Sequence, residues 1–428
     1  MGRSGSLLWG PWQRNVRDVL VRFRWPGALL IVRARVEGLA RSCCVPHHYS
    51  LEAPKIRYHG DDRGNPRVFA LYRTGDPRSR LELRALTPSQ VRVAISGAQS
   101  IPLEQMAVWE SFSEGAGNPA WGSLGWFEDD KPIAAITLYE HKVRGLRFLW
   151  ARRGPVWMKP PTPMREEEAL RLLAAYLRKQ VRDLVFVRLH SWYQHPELRE
   201  PFRVIPYDRT VIIDTGRGNT DKILESMPSA GKRLIRRGKA QFEKAAGSIT
   251  EETGLSKEEF AEFYQVLTET SERDGFTPHD MDHYWNMLSD LGPDHGRLFA
   301  LRLDGKLAAW DLVGVHGNMA TAYYGASTDA ARRTQTVALL DFEVARLLGE
   351  ERVLGLDLMG IHSPRVPELY GVGRYKMQFA NSYTDVAGLW DLPIRPALYE
   401  LARAAYSGRD RVRSAVRSVK TKLGKRGD

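Results

Sequence analysis

From Val91 onward, apolar runs of five to seven residues alternate with longer amphipathic stretches, and the alternation is run through twice. A short apolar run bounded by polar residues suits a strand. Apolar residues recurring at i, i+3 and i+4 suit a helix. A chain that keeps alternating the two must layer helices on sheets, so the pattern predicts a mixed α/β (α+β) fold. In the first pass Val91–Ile95, Ile133–Tyr139 and Phe148–Trp150 read as strands. Glu166–Val181 reads as a helix with Leu170, Leu173, Ala174 and Leu177 on one face, followed by strands at Leu184–Leu189 and Thr210–Asp214. In the second pass 221–227, the strongly basic 232–244, 257–269 and 337–348 read as helices. Strands are expected at 298–303, 307–315, 321–324 and 354–358. Asp304-Gly305-Lys306 is a hairpin turn, because Asp-Gly tolerates the positive φ angles of type I′ geometry.

The sequence has 428 residues, length enough for two or three domains. No apolar run approaches the ~20 residues that span a bilayer, and the opening residues do not read as a secretory signal. Two adjacent cysteines, Cys43 and Cys44, cannot build a disulfide framework or a cysteine-rich zinc site, and the histidines are scattered, so no metal is expected. A reducing cytoplasmic setting fits. The net charge of +12 is concentrated at the ends: residues 1–90 carry 16 basic side chains against 7 acidic ones, and 401–428 carry 9 against 2. Trp12, Val16, Val19 and Phe23 recur at helical spacing among arginines. Val412, Val416, Val419 and Leu423 do the same in a basic C-terminal helix. Such segments suit a solvated helix, tRNA, or the headgroups of an anionic membrane surface.

Phosphate-loop, HExxH and G-x-S-x-G signatures are absent. Arg333-Thr334-Gln335-Thr336-Val337-Ala338 is similar to the [QR]-x-x-G-x-[GA] loop with which general N-acetyltransferases (GNAT fold) cradle acyl-CoA. Thr336 stands where glycine should let the backbone approach a phosphate. The topology therefore fits that fold, and acyl-CoA binding does not.

Arg233-Leu234-Ile235-Arg236-Arg237-Gly238-Lys239, Thr270-Ser271-Glu272-Arg273-Asp274-Gly275-Phe276, Tyr324-Gly325-Ala326-Ser327, Leu356-Asp357-Leu358-Met359-Gly360-Ile361 and Arg374-Tyr375-Lys376-Met377-Gln378-Phe379 follow one another in a telling order. With Leu149-Trp150-Ala151-Arg152-Arg153-Gly154-Pro155-Val156 and Thr210-Val211-Ile212-Ile213-Asp214 upstream, the chain over roughly 90–400 resembles the Fem (FemABX) family of peptidoglycan branch aminoacyltransferases. The resemblance is to compact members, since 242–254 leaves no room for a coiled-coil arm.

The resemblance implies two GNAT-like domains in tandem, set at 89–220 and 221–384. It implies a peripheral basic extension over 1–88, with 385–428 packing back on the first domain. It implies an enzyme that needs neither metal nor cofactor. Such an enzyme moves an amino acid from aminoacyl-tRNA to the stem-peptide amine of a UDP-muramyl peptide or lipid II, in the cytoplasm or at the inner face of the membrane. The alternatives are a GNAT-fold N-acyltransferase for another amine, such as an exopolysaccharide or peptide, and a non-catalytic relative that binds tRNA or precursor.

The same resemblance puts the family's lysine on Lys376 with Tyr375 beside it, its diphosphate arginine on Arg273, and a substrate-lining tyrosine on Tyr323 or Tyr324. A fixed ammonium at Lys376 suits an oxyanion or a departing ribose hydroxyl; the plain alternative is a surface lysine. Arg273 either holds a diphosphate or pairs with Asp274 or Glu272. Arg233 and Arg236, with Arg237, form either a phosphate clamp or a solvated face. Asp357 is either a buried hydrogen-bonder or part of a proton path. His190 stands where the family has a carboxylate, as either a proton acceptor or a packed surface histidine.

Overall fold

In the computed structural model, residues 80–143, 145–202 and 204–406 are described throughout, with the backbone of five short strands before them. The first 51 residues form a unit of their own. In it Arg17–Trp25 pairs with Ala28–Val36 as an antiparallel ladder, where the arginine-spaced pattern predicted a helix. The basic C-terminal helix expected over 409–423 and the Cys43–Cys44 pair lie outside the described residues.

The larger unit holds two sheets. The first runs through β1 (Tyr72–Arg73), β2 (Leu81–Leu86), β3 (Ala120–Glu128), β4 (Lys131–Val143) and β5 (Leu146–Trp150), all antiparallel neighbours. Helix α1 (Pro163–Gln180) then crosses over, and β6 (Leu184–Ser191) lies parallel to β5. The second sheet repeats this plan. An antiparallel meander of β8 (Ser248–Glu251), β9 (Gly296–Leu303), β10 (Lys306–His316) and β11 (Met319–Ser327) is followed by a crossover helix and then by β12 (Gly355–Gly360), parallel to β11. Each sheet is completed by a strand from elsewhere in the chain. β7 (Arg209–Asp214) pairs with β12, and β13 (Gly388–Pro393) pairs with β6. Leu81–Leu86, expected to precede the first domain, is thus a member of the first sheet, and Arg209–Asp214, expected before the boundary at 220, belongs to the second.

The apolar faces explain this layering. Leu81, Leu83, Leu124, Trp126, Ile136 and Leu138 bury one face of the first sheet under Leu170, Leu173 and Leu177 of α1. Val211, Ile213, Phe299, Leu301 and Leu356 do the same under the helix bearing Leu339, Leu340 and Val344. A third core packs Leu103, Trp109 and Tyr139, from the first-sheet part of the chain, against Phe260, Phe263 and Trp310 of the second. Asp304 and Gly305 take φ of 48° and 74°, as the hairpin turn requires. Val91–Ile95 is the clearest departure from expectation. The segment is the helix Pro88–Ile95, because Thr87 and Gln90 form a reciprocal capping box ahead of Pro88 at its first turn. Among the described residues no helix is long and apolar enough to cross a membrane.

Candidate active site

The end of β12 is bent by a residue that resists the bend. Met359 has φ 66°, a left-handed conformation that costs about 1–3 kcal/mol in a non-glycine residue. Its backbone N–H donates to Asp357 Oδ1 at 2.7 Å, which holds the turn. The next carbonyl, that of Gly360, accepts a 3.0 Å hydrogen bond from Lys376 Nζ. Lys376 closes a short helix, Tyr370–Lys376, and is half-buried rather than directed into bulk solvent. Burial pushes its ammonium down to about 8, against the opposing pull of Asp357 and Asp341. Tyr375, its neighbour, donates its hydroxyl to Asp341 Oδ2. Burial drives the Asp341 carboxyl up to about 6, and drives Asp311, with Asp341 beside it, well above the carboxylate range. Tyr375 therefore sits over a pair of carboxyl groups, Asp341 and Asp311, that sequence reasoning missed, and Lys376 feels the charge of the first. Asp341 sits inside an apolar helical run and carries no signal of its own.

Asp357 has both oxygens engaged. Oδ1 accepts from Thr210 Oγ1 as well as from Met359, and Oδ2 accepts from Arg153 Nη1 at 3.1 Å. Arg153 also donates to Tyr207 Oη at 3.0 Å, and its Nε lies 3.3 Å from Glu104 Oε1. This buried network ties the loop after β5 in the first sheet to β7 and β12 in the second. Glu104 and Tyr207 were not singled out in the sequence. His190 has its ring Nδ1 2.9 Å from the Ala387 carbonyl, an acceptor only, so that nitrogen carries the proton. Burial pushes the imidazole down to about 4, and the ring is neutral near pH 7.

The two tyrosines share a face because β11 is bulged. Leu312 pairs with Tyr324 and Val313 with Ala322, leaving Tyr323 as the extra residue. Tyr323 packs against Trp109 with ring centroids 5.7 Å apart, and the Tyr324 hydroxyl lies 3.1 Å from His283 Nε2. Burial raises Tyr324 to about 12 and holds Tyr323 well above the ordinary phenol value.

Arg273 has the neighbouring carboxylate partner that was the alternative to a diphosphate role. It is paired with Asp274 through Nε at 3.0 Å and Nη2 at 3.1 Å, and it donates to the Ser327 carbonyl at 2.6 Å. The nearest-neighbour carboxylate wins because it satisfies the fork in place. Arg233 instead lines a cavity of about 460 Å³ with Arg237, Arg374, Gln335, Tyr370 and Tyr375, and no acidic residue lines it. Arg236 is not in this wall; its Nε reaches back to the Lys232 carbonyl at 3.4 Å. Two glycines of helix α2 (Ser229–Lys244) make the cavity's frame. A Cβ at Gly231 would run into the Gln378 carbonyl, and one at Gly238 would meet the Gln335 carbonyl at 2.7 Å. Thr336 is fully buried, with its hydroxyl on the Ala331 carbonyl at 3.3 Å, so a side chain fills the place of the missing loop glycine.

Residues 229–377 match the acetyltransferase (GNAT) domain family. No curated protein sequence matches the chain. Among solved structures, FemX is similar with a TM-score of 0.58 at 15% identity, over 74% of this chain and 99% of that one. The C-terminal domain of a putative lysylphosphatidylglycerol synthetase from Agrobacterium fabrum matches with a TM-score of 0.45 at 13% identity, over 75% and 97%. A tandem GNAT protein from the clavulanic acid biosynthesis pathway matches with a TM-score of 0.44 at 12% identity, over 73% and 98%. Residues 229–377 thus match a GNAT domain, and the chain, which repeats one sheet-and-helix plan in tandem, shares its fold with FemX.

Proposed function

We propose that this protein is an aminoacyltransferase that moves an amino acid from aminoacyl-tRNA to the stem-peptide amine of a peptidoglycan precursor, a UDP-muramyl peptide or lipid II. The observation that supports the reading is the half-buried Lys376 ammonium, fixed on the Gly360 carbonyl at the end of the short helix whose Tyr370, Arg374 and Tyr375 help to wall an arginine-lined cavity. The donor ester is already activated, so no enzyme nucleophile is required. The amine nitrogen attacks the ester carbonyl, the carbon–nitrogen bond forms, and the carbon–oxygen bond to the ribose breaks. Lys376 stabilises the oxyanion and passes a proton to the departing ribose hydroxyl. Asp341, half protonated near pH 6, and Tyr375 supply the local charge balance behind it. Asp357 is a positioning residue, because its oxygens are taken by Arg153, Thr210 and Met359. His190, whose imidazole burial pushes down to about 4, is a weak acceptor, so the proton that the attacking amine sheds returns to Lys376 once it has protonated the ribose oxygen.

Arg233, Arg237 and Arg374 present guanidinium groups without a carboxylate among them, as a phosphodiester requires. The exposed ring of Tyr370 offers a base a stacking surface. The family match keeps a second donor in play, acyl-CoA, for transfer to another amine. The filled Thr336 position argues against it. Incubation with a charged tRNA mixture and muramyl pentapeptide tests the reading. Transfer that is abolished by ribonuclease supports it; transfer from acyl-CoA without tRNA replaces it with the second donor; and binding without turnover replaces it with a non-catalytic precursor-binding role.

A further inference from the structure

Trp150 ends β5, and Arg152 lies two residues on, so alternation along an extended chain sends both side chains to one side. The Arg152 guanidinium lies 4.0 Å over the Trp150 ring. Its backbone is pinned by Gln105, whose Nε2 donates to the Arg152 carbonyl at 2.8 Å. The guanidinium itself has no carboxylate within ion-pair distance and no hydrogen-bond acceptor among the described residues. Arg153, next in sequence, has three partners. Trp150 Nε1 is likewise buried with no acceptor.

A buried donor is costly unless something accepts from it, and beside the Trp150 N–H the half-buried Arg152 fork has no partner in the protein among the described residues. The surroundings carry the same sign. Arg188 lies 5.3 Å over the same indole, with its own charge spent on Asp391. His141, 5.3 Å from Trp150, is held neutral by burial and by the charges of Arg152 and Arg188. Across from them His283, hydrogen-bonded to Tyr324, is held neutral by burial, His279 and Arg152, with Asp280 opposing. Glu104 is the acid whose charge reaches Arg152, and one of its oxygens already serves Arg153.

We propose that Arg152 and Trp150 form an oxyanion-binding site that takes a carboxylate or phosphate group of the acceptor. The guanidinium grips two oxygens with its planar fork, and the indole N–H donates to one of them. The binding stands on these residues alone; only the statement that the acceptor carries the anion rests on the proposed function.

Isothermal titration of the full chain with inorganic phosphate, and separately with acetate, tests the site without any donor present. Saturable binding of either anion is expected, and the preferred one names the group. Arg152→Ala is expected to weaken it about tenfold or more, and Trp150→Phe, which keeps the ring and removes the N–H, by about threefold. If Arg152→Ala unfolds the chain, Arg152→Lys provides the measurement: charge without the fork should bind severalfold more weakly. In the wild type, phosphate should also move the His283 ring titration upward as the Arg152 charge is offset. Arg236→Ala, at an arginine outside the cavity wall, is the control, and Arg374→Ala reports any binding at the arginine-lined cavity. Anion binding unchanged in Arg152→Ala and lost in Arg374→Ala overturns the proposal, as does binding of neither anion. Failure of tRNA-dependent transfer with anion binding intact counts against the proposed function and not against this site.

Discussion

Arg153 and Asp357 stand 204 positions apart and meet in a 3.1 Å ion pair that ties the loop after a first-sheet strand to a strand of the second sheet. Both side chains are largely withdrawn from water, at 19% and 10% exposure. Removing the cation strands Asp357 and Glu104 as buried anions. Arg153→Ala is expected to cost about 3–5 kcal/mol of stability in denaturant unfolding. A midpoint equal to that of the wild type would show that the network does not hold the sheets.

Lys376→Ala is expected to lower kcat about 10²–10³-fold with little change in KM, because the lost donor acts on charge that develops only in the transition state. Steady-state kinetics with both substrates decide it. Unchanged turnover removes Lys376 from the mechanism.

The pH dependence has a definite sign. Burial lowers Lys376 to about 8, so its ammonium is lost as pH rises through that value, and kcat should fall on the alkaline side of pH 8. Stability runs the other way. Between about 8 and the ordinary lysine value near 10.5, the unfolded chain holds the proton that the folded chain has released, so this group's contribution rises with pH. Lys376→Arg should carry the alkaline limb of the rate profile out of range. A limb that stays at pH 8 in that variant belongs to another group.

Arg237→Ala and Arg374→Ala are expected to raise the KM for aminoacyl-tRNA about tenfold and to flatten its salt dependence. Each lost phosphate contact should take ~0.7 from the log–log slope. Arg236→Ala, outside the cavity wall, should do neither. Equal effects from all three would mean a diffuse basic face.

Gly231→Ala tests the close approach of α2 to the segment carrying Lys376. With the added carbon driven into the Gln378 carbonyl, that segment must shift, and a loss of about 1–3 kcal/mol is expected together with lost turnover. Full stability with full activity would show that the contact is easily relaxed.

Much of the layering was legible because it is local. The helix Lys257–Asp274 shows its apolar face and its Ser256–Glu259 capping box in a single stretch of chain. The Asp304–Gly305 turn needs only two residues. Lys376 and Tyr375 stood out only through the resemblance. Val91–Ile95 misled because its alternating apolar residues outweighed a capping signal that lay just upstream. Glu104, Tyr207 and Asp341 had no local signature at all, since their roles come from partners tens to hundreds of positions away. Arg273 left two roles open in the sequence, a diphosphate or a neighbouring carboxylate, and the structure shows its pair with Asp274, one residue along.

Asp391, on the strand that closes the first sheet, binds Arg188 on the neighbouring strand across 203 positions. A ribosome making this protein must therefore extrude nearly the whole second half before that edge is covered. Until then the growing chain exposes the unpaired backbone edge of β6, the kind of edge that templates wrong strand pairing. A polypeptide cut between the halves would inherit the same open rim permanently.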